Sequence, residues 1–285
     1  MGLLSGLEKF GLKASDSMDL FEEEQKDSGK KDGNSASKIP TEDEFLLEKT
    51  VKCRVCDHVF KTKVIKSGRL KSLEPDKDMR PRFQYVDTLK YDVTSCPACG
   101  YTATNSFFER ISSAQEKLIR EQISSQFQPG SIEEADIYTY DMAADRYILA
   151  LANAKAKKAR AGEKAYICLK LSWLLRGKIE TMPENTPEEK AAKEECKKEE
   201  EIFYQQAYDG FLKAISQETF PICGMDESRM DYLLAYMSFH FKKFDLAARF
   251  VTSVITSATA SRRLKDMAQD LRQEIKLEIR KANTP

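Results

Sequence analysis

Cys53-Arg54-Val55-Cys56 and Cys96-Pro97-Ala98-Cys99-Gly100 hold the residues best equipped for chemistry. Two residues between paired cysteines let one tight turn aim both sulfurs at a single ion, and four thiolates suit the tetrahedral coordination of structural zinc. Backbone N–H groups in such a turn point at the sulfurs and offset part of the thiolate charge. The turn needs a left-handed residue just after its second cysteine. Gly100 takes that conformation without steric cost, and Asp57 tolerates it. One structural Zn2+ is therefore expected on Cys53, Cys56, Cys96 and Cys99. His58, beside the first turn, is the alternative ligand.

The rival chemistries are less well supplied. A C-x-x-C pair can lower a thiol pKa for redox work, but that reading expects a βαβ setting, which this stretch lacks. Catalytic zinc keeps an open position and often uses histidine, and the chain has only 2 His. His240, between Phe239 and Phe241, reads as packed or exposed rather than catalytic. Cys168 reads as core, Cys196 as an exposed helix residue and Cys223 as part of a loop. No phosphate loop, dinucleotide glycine fingerprint, G-x-S-x-G or H-E-x-x-H motif is present. No catalytic residues are expected, and a thiol redox or metal-dependent enzyme is the weaker alternative.

The elements that must position these cysteines follow from pattern. Val59-Phe60-Lys61-Thr62-Lys63-Val64-Ile65 mixes β-branched and charged residues as a strand does, and Ser67-Gly68 marks a turn. Pro75 and Pro81 break the middle, and Tyr91-Asp92-Val93-Thr94 leads back to the second pair. From about residue 106 the chain reads as helix. Ser113-Ala114-Gln115-Glu116 and Ser131-Ile132-Glu133-Glu134 read as capping boxes, and Thr186-Pro187-Glu188-Glu189 as a third start with proline in the first turn. Gly162 reads as the end of an alanine-rich helix. Leu234, Ala235, Phe244, Ala247, Val251 and Val254 alternate large and small residues as tetratricopeptide-like helix pairs do. Residues 261–282 suit a terminal helix with a polar outer face. The expected class is α+β, mostly α: a small N-terminal zinc-binding β module followed by a tetratricopeptide-like helical-repeat domain. The expected divisions are a disordered acidic tail with a short amphipathic segment (1–44), a zinc-ribbon-like module (45–105) and the helical domain (106–285).

A net charge of zero hides segregation. Residues 1–48 carry 6 Lys against 12 acidic residues, and residues 49–101 carry 12 Lys or Arg against 6 acidic ones. Lys61, Lys63, Lys66, Arg69, Lys71, Arg80 and Arg82 are candidate phosphate contacts, with Phe83 and Tyr85 as stacking platforms. A nucleic-acid-binding regulator is thus one reading. A four-thiolate zinc site carrying about −2 charge and an acidic tail in cis both weigh against it. No apolar run is long enough for a membrane span, and the start lacks the basic and apolar blocks of a secretory signal. A cytoplasmic location is expected, where the 7 Cys stay thiols or metal ligands.

The chain resembles a bacterial family known as domain of unknown function 2225. The resemblance rests on Cys53-x-x-Cys56-x-x-x-Phe60, Asp78-x-Arg80-Pro81, Leu89-Lys90-Tyr91-Asp92, Cys96-Pro97-x-Cys99-Gly100-Tyr101 and Leu171-Ser172-Trp173-Leu174-Leu175-Arg176. It implies a bacterial cytoplasmic protein with a zinc-ribbon-like part and a tetratricopeptide-like part, and it implies no activity. The resulting expectation is a non-enzymatic zinc-binding adaptor or scaffold that binds a protein or peptide partner through its helices.

Overall fold

A computed structural model of the protein describes residues 40–282. Of the acidic tail with an amphipathic segment expected over 1–44, residues 1–39 lie outside the described residues. Thr41 caps a 3-10 turn, Glu42–Phe45, that runs into β1 (Leu46–Lys52). β1 pairs antiparallel with β2 (Val59–Ile65), setting Val51 opposite Phe60. Alternation chooses the buried face: Phe60 and Thr62 point inward while Val59 and Lys61 face solvent. A shorter ribbon pairs β3 (Val93–Ser95) with β4 (Thr102–Thr104), Ser95 opposite Thr102. Each cysteine pair forms the loop of one ribbon. A two-stranded ribbon is barely stable alone, so both need outside support.

Helices follow: α1 (Ser113–Ile119), extended by a wider π-type turn over Arg120–Ser124, α2 (Tyr140–Ala156), α3 (Ala161–Thr181), α4 (Pro187–Gln217), α5 (Glu227–His240), α6 (Phe244–Thr256) and α7 (Arg262–Ala282). The mainly helical class with a small β region near the N-terminus is the one observed. Among the described residues no helix is long and apolar enough to cross a membrane.

Local start signals were partly displaced by longer-range demands. The Thr186 box with Pro187 opens α4 as read. The box of α1 sits one residue earlier, on Ser112 and Gln115. Ser131-Ile132-Glu133-Glu134 opens no helix. Arg146 binds the Glu134 carboxylate (2.9 Å) and the Glu133 carbonyl (2.6 Å), which recruits that segment as a loop. α2 starts instead at Thr139, whose hydroxyl accepts from the Met142 N–H. Gly162 does not end α2 either. Lys158 takes the left-handed conformation (φ 53°) there. Gly162 lies in the first turn of α3, where its N–H donates to Glu218 (2.7 Å) and a Cβ would strike Ile222.

α3 and α4 run antiparallel, since the start of α3 meets Glu218 while Arg176 near its end pairs with Glu200 (2.9 Å). Gly210 permits their close approach: a Cβ there would lie 2.7 Å from the Ala165 Cβ. α5 and α6 form a second antiparallel hairpin, closed by Ser228 and Ser257 (2.9 Å). α7 lays Leu264, Ala268, Leu271 and Ile275 on this hairpin as one stripe. The main core joins Tyr147, Leu169, Trp173, Tyr204, Phe211 and Leu233 with Leu89 and Val93. It therefore runs across position 105.

The segment between β2 and β3 lies along α3 and is held there by charge. Asp78, fully buried, accepts from Trp173 Nε1 and from Arg176 Nη1, each at 2.8 Å. Arg80 pairs with Glu180 (2.9 Å), Asp87 (3.4 Å) and Asp76 (3.5 Å). Arg82 shares Glu180 (2.8 Å) and Asp76 (2.9 Å). Lys170 pairs with Asp92, and Lys90 with Glu42 (2.6 Å). Burial is the largest influence on Glu180 and raises its pKa, yet bonds from Arg82 and Arg80 outweigh it and hold the group below its ordinary value of 4.5. A depressed folded-state pKa contributes stability above the ordinary value, lost as pH falls through the folded one. Glu180→Gln is expected to lower the urea midpoint at neutral pH, with the gap to the native chain narrowing at an acid pH below the ordinary 4.5, as pH falls through the depressed folded-state value. A gap equal at both values would exclude a role for the Glu180 charge.

Candidate metal centre

The two cysteine turns are backbone copies of each other. Asp57 N–H donates to the Cys53 carbonyl and Gly100 N–H to the Cys96 carbonyl, both at 3.0 Å. Cys53 N–H donates to the His58 carbonyl and Cys96 N–H to the Tyr101 carbonyl, both at 2.8 Å. The residue after each pair is left-handed, Asp57 at φ 61° and Gly100 at φ 74°. Backbone N–H groups reach the sulfurs: Val55 and Cys56 to Cys53, Ala98 and Cys99 to Cys96, Tyr101 to Cys99.

The turns face one another. Cys53 and Cys99 Sγ lie 3.6 Å apart, as do Cys56 and Cys96 Sγ. All four sulfurs fall within 4.8 Å of one another. Metal–sulfur bonds of about 2.3 Å in a tetrahedron require sulfur–sulfur edges of about 3.8 Å. The donor set and its spacing therefore fit one metal ion. Cys53, Cys96 and Cys99 are buried and Cys56 is exposed. Hydrogen bonding to Cys53 and Cys99 holds the Cys96 thiol well below its ordinary value. The contact with Cys96 pushes Cys53 up, and those with Cys53 and Cys96 push Cys99 up. Ligation needs all four as thiolates, so binding an ion must release protons and weaken as pH falls.

Val51, Val55, Phe60, Tyr101 and Phe108 wrap the sulfurs together with Ile119 of α1 and Ala156 of α2. Arg120 Nε donates to the Val55 carbonyl (2.8 Å), and Asn153 Nδ2 donates to the Gly100 carbonyl (3.0 Å). Each helix element thus grips one turn. No spacing rule marks Arg120 or Asn153, because their partners are carbonyls of distant residues. At Gly100 an added Cβ would overlap the Phe127 ring. Gly100→Ala combines that clash with about 1–2 kcal/mol for the left-handed conformation. A lowered melting temperature is expected, partly restored when Phe127 is shortened to Leu. No change in either variant would remove the role assigned to Gly100.

Other residues singled out by the sequence are placed elsewhere. The His58 ring stacks on Phe60 (6.3 Å) and lies outside the four-cysteine cluster. His240 Nε2 lies 2.9 Å from Glu201, its ring edge-on to Tyr204. Cys168 is buried, and burial pushes its thiol up to about 11; the Cys223 thiol goes up to about 12 for the same reason. Cys196 is buried, not exposed as read, because the antiparallel α3 covers that part of the charged run.

The basic residues scatter. Lys61 pairs with Glu48 (2.8 Å), Lys63 with Asp136 (3.6 Å), and Lys66 donates to the Glu44 carbonyl (3.2 Å). Arg69 and Lys71 are exposed. Arg80 is buried and half-buried Arg82 lies beside it, both paired with Asp76 and Glu180. Phe83 packs beside Phe45 and Val86, and exposed Tyr85 stacks on Phe45 (6.2 Å).

Residues 46–275 match the family described as an uncharacterized protein conserved in bacteria. No curated protein and no solved structure matches the chain. The matched span takes in both cysteine turns, the buried Asp78 and the α3 residues that hold it. It covers most of the 285 residues, and the chain belongs to this bacterial family, DUF2225.

Proposed function

We propose that the chain is a non-enzymatic adaptor, stapled by one Zn2+, that holds a protein or peptide partner on its helices. The observation that carries the reading is the closed set of four cysteine sulfurs at tetrahedral spacing, gripped by α1 and α2. Four protein ligands fill a tetrahedral zinc and leave no position for substrate. Zn2+ suits a purely thiolate tetrahedron and brings no redox chemistry. The thiols of Cys168, Cys196 and Cys223 are raised in pKa by burial, which disfavours them as nucleophiles. The α3–α4 and α5–α6 hairpins are read as tetratricopeptide-like pairs, an architecture suited to presenting extended binding surfaces.

Metal analysis of protein purified without added zinc should find about one zinc per chain, with the four ligand thiols resisting alkylation. Bound iron, or ligand thiols that react while metal is present, would overturn the structural reading in favour of redox chemistry. Affinity capture from the native cell should return a protein partner that the Cys96→Ala variant loses. Capture of nucleic acid alone would overturn the adaptor reading.

A further inference from the structure

A groove of about 860 Å3 runs over α2, α3 and α4, on a part of the helical body that the metal centre does not use. Its floor is apolar and low: Leu151, Ala165, Phe203 and Gly210 line it. Gly210 and Ala165 are small because the two helices touch there, and this close approach deepens the groove. Ile148 stands at its lip and is 46% exposed. An isoleucine left in water on a helix is ordinary by itself, but beside an apolar floor it extends one continuous surface.

The rim carries Lys155, Arg160, Lys164 and Lys213 against the single carboxylate of Asp209. Among the described residues none of these four cations has an ion pair. Lys61, Lys178, Lys193 and Lys197, on other faces, each hold a carboxylate. The groove thus combines an apolar floor with a positive rim.

The walls are helices, whose mid-helix N–H and C=O groups are already bonded within the helix. An extended peptide laid here would find no free strand edge to satisfy its own backbone, whereas a helix arrives with its backbone satisfied. The volume is close to the inner half of a 10 Å wide helix over about four turns. A nucleic-acid strand would meet the cations but would gain no phosphate contact from the apolar floor.

We propose that this groove docks an amphipathic helix of a partner protein, with an apolar stripe flanked by Asp or Glu. The inference rests on the adaptor reading and names the chemistry of its partner. The stripe fills the floor at i, i+3, i+4, i+7 spacing, and the flanking carboxylates meet Lys155, Arg160, Lys164 and Lys213.

The test uses the full chain with zinc and a fluorescent synthetic helical peptide, Leu at i, i+3, i+4, i+7 and Glu on both flanks. Two comparison probes are the same peptide with Lys for Glu and a single-stranded oligonucleotide. Fluorescence polarisation should show binding of the acidic peptide, weakening as salt is raised. Lys164→Glu with Lys213→Glu should weaken it at least about ten-fold, and Ile148→Asp should weaken it too. Lys276→Glu on α7 should leave it unchanged, and circular dichroism should show every variant folded. No binding by the acidic peptide, equal binding by the Lys peptide, or binding by the oligonucleotide alone would overturn the proposal. A partner captured from the cell that ignores the groove variants would overturn the groove and leave the adaptor reading standing.

Discussion

Cys96→Ala is expected to unfold the β module while leaving the far helices folded. Structural zinc contributes about 10–16 kcal/mol to small zinc-finger peptides, as much as the about 5–15 kcal/mol that holds a whole domain together. Both ribbons are two-stranded, and the cluster that covers them is built around the sulfurs themselves. Ile119 and Ala156 then lose the surface they cover, so α1 and the last turns of α2 should loosen with the ribbons. The α5–α7 core, with Tyr232, Val251, Leu264 and Leu271, contains no member of that cluster. Hydrogen exchange should therefore rise sharply over residues 46–65 and 93–127 and stay slow in α5–α7. Chelation should give the same map. Unchanged protection over the ribbons in both experiments would refute a structural ion.

Asp78→Ala should be the most damaging substitution outside the cysteines. It leaves the buried Trp173 indole N–H without its acceptor and takes from half-buried Arg176 one of its carboxylate partners. Burial works against the Arg176 charge, but Asp78 and Glu200 more than restore it and raise its pKa above the ordinary value. The group therefore stays charged, and without Asp78 it rests on Glu200 (2.9 Å) and Asp76 (3.7 Å). Leaving a buried donor without its acceptor costs about 1–3 kcal/mol, more where a charged group loses its bond as well, a large part of the stability of any domain. Urea unfolding measures it. Asp78→Asn keeps an acceptor for Trp173 and should cost less. Adding Arg176→Met to Asp78→Ala should cost less than the sum of the two single changes, because both remove the same bond. Strict additivity of the two would deny the coupling.

These two sites differ in how far the sequence foretold them. The cysteine turns were legible down to the sign of φ at Asp57 and Gly100, because spacing, turn hydrogen bonds and conformational preference all act within six residues. The Asp78-x-Arg80-Pro81 and Leu171–Arg176 motifs were visible as words without meaning. Asp78 and its two donors are 95 and 98 positions apart, and nothing local says they meet. The carboxylate partners of Arg80 and Arg82 were hidden for the same reason. A surface cation and one turned inward look alike until Glu180 is placed opposite. Ser131–Glu134 shows the converse: a sound local cap signal lost to Arg146, a partner supplied by the next helix.

By itself the sequence determined which four cysteines cluster, the left-handed turn residues, the strand at 59–65, the start of α4 and the mostly helical class. Each of these follows from neighbours within a few residues, where chain connectivity limits the geometry. Only the tertiary structure decided which charges are buried together, that Cys196 is covered, and that Asn153 and Arg120 grip the cysteine turns. It also placed around an apolar groove four cations that have no ion pair among the described residues. Those outcomes depend on which helix lies opposite, and helices meet through packing of faces, a property of the whole folded chain.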